Sequence, residues 1–566
     1  MTEVASLPAR GSAGDFNAII KDFKGADLRV GIICPAEFLA GKSHLAMQIL
    51  YFLAHQFPSI ACERIFLPPV SERRQGIFPR SRETGRPLRE FDLLAVSLSF
   101  ELEYPWFLWM LQQSGIPVFQ QQRLEREGQY PFILLGGLAI SANPTPLRDV
   151  AEAIFVGEAD IAFHDILETC LVTPRTEWGG NTGFGKIPGI LLPEQEGPVQ
   201  RVWVQDLDQV PYPVAQIIPR ELSKSERKRS ASPLPDSFLL EVNRGCPNWC
   251  RFCLAGHFTR PFRNRSLSTL QKILEEGAPA TPTKHVTLIG SAVADFPNLI
   301  DLLRFINTLG LEFSLPSVRL DQVDENLLEI LRINGTRTLT IAPEAASEKT
   351  RRGAGKPWTN EEIIEVTRQI SQAGIRKLKF YFLLGLPDSL ESEGAEIPKL
   401  VKQIASVTHP NTRLEVSVNP FVPKAQTPLA QCVQYYVGEQ FNLLHRTWRD
   451  LQRELRKIPR VSPEGYDPRW ARIQALLSLA GKDVTPLLAA WAEEGVTLGG
   501  WSSVLRDHGW DASEHFEQLA ATNDPEWRIV TTGVSAEILP AERTLMAAGK
   551  ISSPCQQGCK RCGLCP

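Results

Sequence analysis

The sequence of 566 residues has no run of eighteen apolar residues and no excess of either charge. A transmembrane helix needs such an apolar run, so we expect no membrane span and no membrane partner. The net charge of −3 argues against a generally basic nucleic-acid binder. The first residues also lack the apolar segment of a secretory signal peptide. These features together predict a cytoplasmic protein.

Cysteine is the informative residue type. The chain has 11 cysteines, and seven of them fall into two tight clusters near the middle and the end. In a reducing compartment, clusters of this density are metal sites more readily than disulfides. The four scattered cysteines are predicted to be small buried side chains: Cys34, Cys62, Cys170 and Cys432.

The first third of the chain alternates short apolar runs with helix-like stretches. The apolar runs are 28–34, 63–68, 91–100 and 131–137. This alternation is typical of a doubly wound, Rossmann-like α/β domain with a parallel sheet, which binds ligands beyond the carboxyl ends of its strands. Residues 173–235 are rich in glycine, proline and charge and interrupt the pattern, as a connector would.

The alternation returns after residue 238 and predicts a βα repeat long enough for a partial or full (β/α) barrel of the TIM type. Residues 430–520 are rich in Trp, Leu and Ala and are predicted to be helical. The predicted boundaries are 1–175 for the N-terminal α/β domain, 176–235 for a linker, 236–430 for the barrel, 431–545 for a helical domain and 546–566 for a cysteine-rich tail.

The first cysteine cluster follows a buried strand. Cys246, Cys250 and Cys253 place three thiolates within eight residues of one loop. Cysteine thiolates ligate 4Fe–4S clusters, and three of them leave one iron open to a non-protein ligand. No histidine follows at zinc-finger spacing, since His257 is only four residues from Cys253.

The C-x-x-x-C-x-x-C spacing, with Phe252 before the last cysteine, resembles the radical S-adenosylmethionine (SAM) superfamily. The resemblance implies that the open iron binds SAM and that one electron cleaves it to a 5′-deoxyadenosyl radical. It also implies SAM contacts at several strand ends, for which a purely structural role is the alternative. Gly290-Ser291-Ala292 departs from the superfamily's Gly-Gly-Glu, so only backbone contacts carry over there. The residues concerned are Phe252, Gly290, Ser291, Arg319, Asp321, Glu344, Phe382 and Gly385.

The N-terminal domain carries Gly136-Gly137, Asn143-Pro144 and Gly157-Glu158 after its apolar runs. This series resembles the cobalamin-binding domain that precedes the barrel in one radical SAM subgroup, and it implies cofactor contacts at Gly136 and Gly137. The D-x-H-x-x-G pattern of a cobalt-ligating histidine is missing, because His44 has Lys42 and Met47 where Asp and Gly are needed. Two alternatives stand: cobalamin binding, or a cofactor-free remnant that positions the substrate.

The tail supplies four further cysteines, and they can ligate a metal centre completely. A second 4Fe–4S cluster and a structural zinc are the two main alternatives. The four ligands are Cys555, Cys559, Cys562 and Cys565.

The chain as a whole resembles an uncharacterised family of cobalamin-domain radical SAM proteins. The matching segments are 62–68, 260–266, 342–347, 421–424 with 427–428, and the cysteine tail.

The resemblance predicts a radical enzyme that modifies an unactivated carbon, by methyl transfer through cobalamin. The alternatives are radical rearrangement or oxidation without methyl transfer, and a non-catalytic iron–sulfur electron-transfer protein. A further alternative is RNA or ribosome modification, which rests on Arg260, Arg263 and Arg265 beside the first cluster. The substrate is a small molecule, a peptide or an RNA, and a flavodoxin or ferredoxin is the expected reductant.

Overall fold

The computed structural model describes residues 15–126, 128–219, 236–556 and 558–565. The strands in these ranges are β1 (Asp15–Phe16), β2 (Leu28–Glu37), β3 (Ile60–Leu67), β4 (Leu93–Ser97), β5 (Phe132–Gly136), β6 (Ala153–Phe155), β7 (Ile190–Leu191), β8 (Val199–Gln200), β9 (Ile218–Pro219), β10 (Phe238–Glu241), β11 (Asn243–Arg244), β12 (Arg263–Asn264), β13 (His285–Ile289), β14 (Glu312–Ser314), β15 (Thr338–Glu344), β16 (Lys377–Leu384), β17 (Arg413–Pro420), β18 (Val461–Glu464) and β19 (Val530–Thr531).

Helices connect most of these strands and form the C-terminal region. Those in the described ranges are α1 (Phe38–Gly41), α2 (Leu45–His55), α3 (Val70–Arg73), α4 (Glu103–Gln113), α5 (Gln120–Leu124), α6 (Leu138–Ala142), α7 (Phe163–Val172), α8 (Leu254–Phe258), α9 (Leu267–Ala280), α10 (Leu299–Thr308), α11 (Glu325–Ile333), α12 (Glu348–Ala354), α13 (Asn360–Gln372), α14 (Leu390–Val407), α15 (Gly438–Arg456), α16 (Pro468–Leu479), α17 (Thr485–Glu493), α18 (Leu498–Asp507), α19 (Ala512–Ala521) and α20 (Ile538–Ala547).

The N-terminal domain is built on one sheet with the order β3-β2-β4-β5-β6-β7. Strands β2 to β6 pair in parallel, and β7 joins the edge antiparallel to β6. The run Ile60–Leu67 is buried along its whole length, as in parallel sheets that helices cover on both faces. The predicted doubly wound α/β domain is confirmed. Its strand order reverses between β2 and β4, and ligands bind beyond the strand ends at such a switch point.

The segment predicted as a linker contributes three short strands. Strand β7 completes the N-terminal sheet, β8 pairs with β19 near the C-terminus, and β9 pairs with β1. This part of the chain therefore pairs with one strand near the N-terminus and one near the C-terminus. The basic run at 221–230 lies outside the described residues.

The second α/β region contains two parallel sheets, β10-β13-β14 and β15-β16-β17-β18. A hydrogen bond of 3.2 Å from Val318 N to Thr340 O joins the loop after β14 to β15. Among the described residues, no strand pairing links the two sheets. The structure thus supports the partial form of the predicted barrel, and a closed barrel is not confirmed. Strand β18 lies within residues predicted to be helical.

The four-stranded sheet has one apolar face and one polar face. Along β16, Leu378, Phe380 and Phe382 are buried, whereas Lys379 and Tyr381 alternate with them and are partly or fully exposed. Such alternation places every second side chain on the same face of a strand. The apolar face packs into the core, and the polar face is open.

The C-terminal region is helical, as predicted, and it packs against the N-terminal domain. Trp491 is fully buried, with its ring centroid 5.9 Å from that of Trp470 and 5.0 Å from that of Trp501. Gln112 Nε2 on α4 donates to Ala489 O on α17 at 2.9 Å. No helix among the described residues combines the length and apolar character that crossing a membrane requires.

Candidate active site

The three-cysteine loop begins directly after β11 and is closed by the antiparallel pairing of β11 with β12. Gly245, at the start of the loop, has φ of +73°, and a Cβ there would lie 2.4 Å from Pro261 O. Only glycine fits this close approach. At the other end, Cys253 caps α8, and its Sγ accepts a hydrogen bond from Gly256 N at 3.4 Å. The loop is thus held at both ends.

The three cysteine side chains of the loop are partly buried. Burial, together with neighbouring Cys250, raises the pKa of the Cys246 thiol and raises that of Cys253 to about 12. Asn248 Nδ2 lies 3.7 Å from Cys246 Sγ and opposes the rise. A buried thiolate therefore needs a compensating cation, and iron supplies that charge when it takes the place of the proton.

A buried cation stands beside the cysteine loop. Lys356 Nζ lies 3.4 Å from a carboxylate oxygen of Glu344 and donates to Ala342 O at 3.2 Å. Burial alone would lower the pKa of Lys356, but Cys250 and Glu344 outweigh it and the pKa is raised. Burial raises the pKa of Glu344, which has φ of +69° at the end of β15. A non-glycine residue in this region of φ is uncommon and often occurs at functional sites.

Arg319 and Asp321 lie in the turn after β14, beside the cysteine loop. Arg319 donates to Asp321 at 2.9 Å and lies 3.9 Å from Asp295, which Asn248 of the loop contacts at 3.4 Å. The ionic attraction of Asp321 and Asp295 raises the pKa of Arg319 despite its burial. The structure therefore brings Arg319, Asp321, Glu344 and the cysteine loop together, and their contacts with SAM stay a prediction.

The Gly290-Ser291-Ala292 turn is held by Asn243 of β11. Asn243 Nδ2 donates to Ala292 O at 2.8 Å, and Asn243 Oδ1 accepts from Ala292 N at 3.3 Å. A Cβ on Gly290 would lie 2.3 Å from Asn243 Oδ1. Both Gly290 and Ser291 line the interdomain cavity described below. This side chain fixes the turn that the resemblance assigned to SAM binding.

Phe252 and Phe382, which were predicted to contact SAM, both pack into apolar clusters. Phe252 packs with Ala354, Leu386 and Phe421 in a small apolar cluster. Phe382 is fully buried in the main core, on the apolar face of β16. Its neighbour Tyr381, on the polar face, is 38% exposed. The backbone of Gly385 has φ of +89° after β16. Tyr381 thus faces open space on this strand, and Phe382 does not.

A cavity of about 510 Å³ lies between the two α/β domains. Gly136 and Gly137 at the end of β5 line it from the N-terminal side, and Gly290 and Ser291 line it from the barrel side. The end of β4 also contributes to the wall. The cavity therefore sits at the switch point of the N-terminal sheet and opens toward the predicted SAM turn.

His44 lies in the wall of this cavity. Its Nε2 is 3.1 Å from Ser99 Oγ, and its Nδ1 is buried without a hydrogen-bond partner among the described residues. Burial lowers the pKa of His44, so the ring is neutral at neutral pH. A neutral imidazole nitrogen in this position can accept a hydrogen bond or ligate a metal.

Ion pairs tie the N-terminal domain to the cysteine loop. Arg244, two residues before Cys246, lies 3.1 Å from Glu158 and 2.7 Å from Asp160. Glu158 also lies 2.8 Å from Arg263. The Gly157-Glu158 motif thus anchors the loop in addition to lining the cavity.

The arginines on which the RNA alternative rested are not exposed to an external substrate such as RNA. Arg260, Arg263 and Arg265 are all buried. Arg263 pairs with Glu158, and Arg265 pairs with Glu241 at 3.2 Å. Their charges lie in the interior of the protein, so they do not form the exposed anion-binding surface that the RNA alternative requires.

The cysteine tail lies against the three-cysteine loop. Cys555 N donates to Pro247 O at 2.8 Å, and Cys562 is buried in an apolar cluster with Trp249 and Ile538. The two cysteine sets are therefore neighbours in space, although about 300 residues separate them in sequence.

Several residues of this site carry no motif in the sequence. Lys356, Asn243 and Asn248 acquire their roles from contacts that only the fold creates. Lys356 directly follows Gly355, which has φ of +97° and ends α12. This helix-ending glycine is the sequence feature that marks the position of Lys356.

The fold and the three-cysteine loop together define an iron–sulfur enzyme of the radical type. A family profile described as radical SAM proteins, N-terminal, matches residues 46–183, and one described as radical SAM superfamily matches residues 240–401. The chain belongs to the radical S-adenosylmethionine superfamily. The radical SAM domain implies a 4Fe–4S cluster and SAM as cofactors.

Individual relatives agree with this placement. The uncharacterized protein MJ0966 of Methanocaldococcus jannaschii is 27% identical over 70% of this chain and 78% of its own. Biotin synthase of Pseudomonas putida is 28% identical over 34% of this chain and 54% of its own.

Solved structures show a similar fold. The radical SAM methyltransferase TsrM of Kitasatospora setae, with cobalamin and a 4Fe–4S cluster bound, has a TM-score of 0.52 at 15% identity, over 87% of this chain and 99% of that one. At such low identity this likeness concerns the fold alone.

Proposed function

We propose that this radical SAM enzyme transfers a methyl group to an unactivated carbon and holds cobalamin in the cavity between its two α/β domains. The cavity is the observation that carries the proposal. It joins the strand ends of the N-terminal sheet to the Gly290-Ser291 turn of the barrel. A group bound there would lie between the cysteine loop and the N-terminal domain.

The wall of the cavity suits the flat ring face of a large cofactor. Apolar side chains dominate the wall, and a few polar groups converge on it, as in most cofactor sites. Gly136 leaves free space, because a Cβ there would meet no atom closer than 3.9 Å. The unpartnered Nδ1 of His44 offers a polar contact.

The chain's own residues would hold and orient the cofactors. When bound, the 4Fe–4S cluster and SAM supply a 5′-deoxyadenosyl radical, and cobalamin supplies the methyl group. Lys356 and Arg319 place two positive charges near Cys250, where a carboxylate of SAM would be stabilised. Asn243 holds the Gly290–Ala292 turn, whose backbone can bind the amino group of SAM. We also propose that a flavodoxin or ferredoxin supplies the electron in the cytoplasm.

Radical generation is tested on anaerobically reconstituted protein with dithionite. The wild type should form 5′-deoxyadenosine from SAM, and Cys246→Ser, Cys250→Ser and Cys253→Ser should not. Cys432→Ser is the matched control, because Cys432 packs near Leu386 and Met546 and belongs to neither cysteine set. Undiminished cleavage in all three variants would contradict the proposal.

Cobalamin binding is tested by visible absorption after reconstitution. Gly136→Leu should fill the cavity and abolish bound corrinoid while iron content is retained. Gly197→Leu is the control, since Gly197 is exposed and a Cβ there would meet nothing within 4 Å. If the wild type takes up no corrinoid at any concentration, methyl transfer is ruled out, and rearrangement or oxidation without methyl transfer becomes the proposed reaction.

A further inference from the structure

The tail cysteines are seated on the loop that carries Cys246, Cys250 and Cys253. The backbone N–H of Cys555 bonds to Pro247 O, the residue after Cys246. On the tail's other side, Ser535 N donates to Cys562 O at 3.0 Å. The tail is therefore fixed by backbone contacts at two of its four cysteines, and it rests on the radical SAM loop.

Three buried hydrogen-bond donors or acceptors without partners lie between the two cysteine sets. Trp249, His257 and Arg260 are at most 2% exposed. Among the described residues, no partner exists for Trp249 Nε1, His257 Nδ1 or Arg260 Nε. A buried polar group without a hydrogen-bond partner destabilises a protein, so three of them in one place indicate a missing partner.

The charge at this place suits a negatively charged centre. Arg260 Nη1 donates to Cys555 Sγ at 3.0 Å, and its guanidinium stacks 3.4 Å from the centroid of the Trp249 ring. The guanidinium of Arg561 lies 4.6 Å from the same centroid. Two arginines thus flank one indole that also contacts Cys562. Iron–sulfur centres with cysteine ligands are tuned by hydrogen bonds to sulfur and by such charges.

We propose that Cys555, Cys559, Cys562 and Cys565 hold a second 4Fe–4S cluster, and that this cluster is the electron-input site for the SAM-cleaving centre. Four cysteines leave no iron open, so the second cluster does not bind SAM. The tail is the more accessible of the two sites, because exposed residues such as Lys560 surround its cysteines. A small redox protein can therefore dock at the tail.

The redox step is a single-electron transfer. One electron leaves an iron–sulfur or flavin redox protein, which is oxidised by one electron. The electron passes from the tail site through the Trp249 contact to the three-cysteine loop. There it is consumed as the C5′–S bond of SAM breaks, giving methionine and the 5′-deoxyadenosyl radical, and no proton moves. This inference rests on the proposed function.

Metal content and electron paramagnetic resonance test the site itself. Cys559→Ser and Cys565→Ser should each lower iron from about eight atoms per chain to about four. The matched control Cys432→Ser should keep about eight. Reduced wild-type protein should show two spin-coupled clusters, and the tail variants should show one uncoupled signal. Zinc in the wild-type tail, with iron at about four atoms, would overturn the proposal.

The electron-input role is tested by changing the reductant. With flavodoxin, both tail variants should form 5′-deoxyadenosine at least about tenfold more slowly, because the electron then lacks its entry site. Mutation of groups that support a metal centre typically has an effect of this size. With dithionite, both should stay close to the wild type. Loss of cleavage with both reductants in both variants would make the tail a structural support and overturn the role. Equal rates with flavodoxin would overturn it as well.

The two proposals fail in distinguishable ways. A wild type that makes no 5′-deoxyadenosine with dithionite contradicts the proposed function. The iron content and spin coupling of the tail variants still decide whether the second cluster exists.

Discussion

The guanidinium of Arg251 donates to the carboxylate of Glu542 at 3.0 Å, and both side chains are completely excluded from solvent. Arg251 lies between two of the loop cysteines, and Glu542 lies on α20 near the tail. Arg251 also donates to Gly353 O at 2.7 Å and to Lys550 O at 2.8 Å. One buried side chain therefore joins the cysteine loop, helix α12 and the C-terminal segment.

Removal of the Glu542 carboxylate should weaken the contact between the cysteine loop and the C-terminal segment. Glu542→Ala leaves a buried arginine unpaired, so the free energy of unfolding should fall by about 3–5 kcal/mol. Iron content should fall with it, because the loop loses its anchor. Denaturant unfolding and metal analysis measure both effects. The exposed Glu537, beside the same helix, is the control, and Glu537→Ala should change stability by no more than about 0.5 kcal/mol. Equal stability of the two variants would show that Arg251 does not depend on Glu542.

A steric conflict tests the turn that Asn243 holds. Gly290→Ala places a Cβ 2.3 Å from Asn243 Oδ1 and should cost about 1–3 kcal/mol of stability, as overpacking does. It should also weaken SAM binding. In an Asn243→Ala background the clashing atom is absent, so the same change should cost less, with a coupling of roughly 0.5–3 kcal/mol. Strictly additive costs in the double variant would contradict the contact.

Regular features of the fold were predictable from local pattern. Apolar runs separated by helix-like stretches predicted the parallel sheets, since both faces of such strands are buried. Strand β18 was missed because it has only four residues and includes a proline. It exists because the long neighbour β17 offers an edge to which it can pair. The domain boundaries stay predictions.

From residue spacing alone, the candidate site was predictable only where its residues are close in sequence. The spacing of Cys246, Cys250 and Cys253 by itself indicates an iron–sulfur site, so this loop could be predicted without knowledge of the fold. Lys356 lies far along the chain from those cysteines, and its role depends on a contact with Glu344 that no motif encodes. The RNA alternative rested on Arg260, Arg263 and Arg265, and their burial was not predictable from sequence. Arg263, for example, pairs with Glu158, which belongs to the other domain.

The charge on Lys356 should contribute to SAM binding. Lys356→Met combined with Glu344→Gln avoids leaving a buried carboxylate unpaired. The pair should weaken equilibrium binding of SAM roughly 10- to 100-fold, the worth of one charge-assisted hydrogen bond. Lys349→Met on the exposed face of α12 is the control and should bind as the wild type does. Unchanged affinity in the double variant would remove Lys356 from the SAM site.

The buried carboxyl group of Glu393, near the end of β15, should make the free energy of unfolding depend on pH. Its buried carboxylate accepts hydrogen bonds from Ala346 N at 2.7 Å and Ser347 N at 3.1 Å, just after Glu344. Burial outweighs these bonds and raises the pKa of Glu393 from 4.5 to about 7. The folded protein therefore binds this proton more tightly than the unfolded chain does. The resulting stability is fully present below pH 4.5 and is lost as pH rises through about 7, which amounts to about 3 kcal/mol.

Glu393→Gln cannot titrate at this position, so the comparison isolates one carboxyl group. The stability difference between variant and wild type should shift in favour of the variant by about 3 kcal/mol from pH 4.5 to above pH 7. Glu103, whose pKa burial also raises to about 7, is present in both proteins and cancels in the difference. Glu391→Gln, at an exposed position of the same helix, should run parallel to the wild type. A Glu393→Gln profile parallel to the wild type would mean that Glu393 has the same pKa in the folded protein as in the unfolded chain, because its two backbone N–H bonds then offset burial.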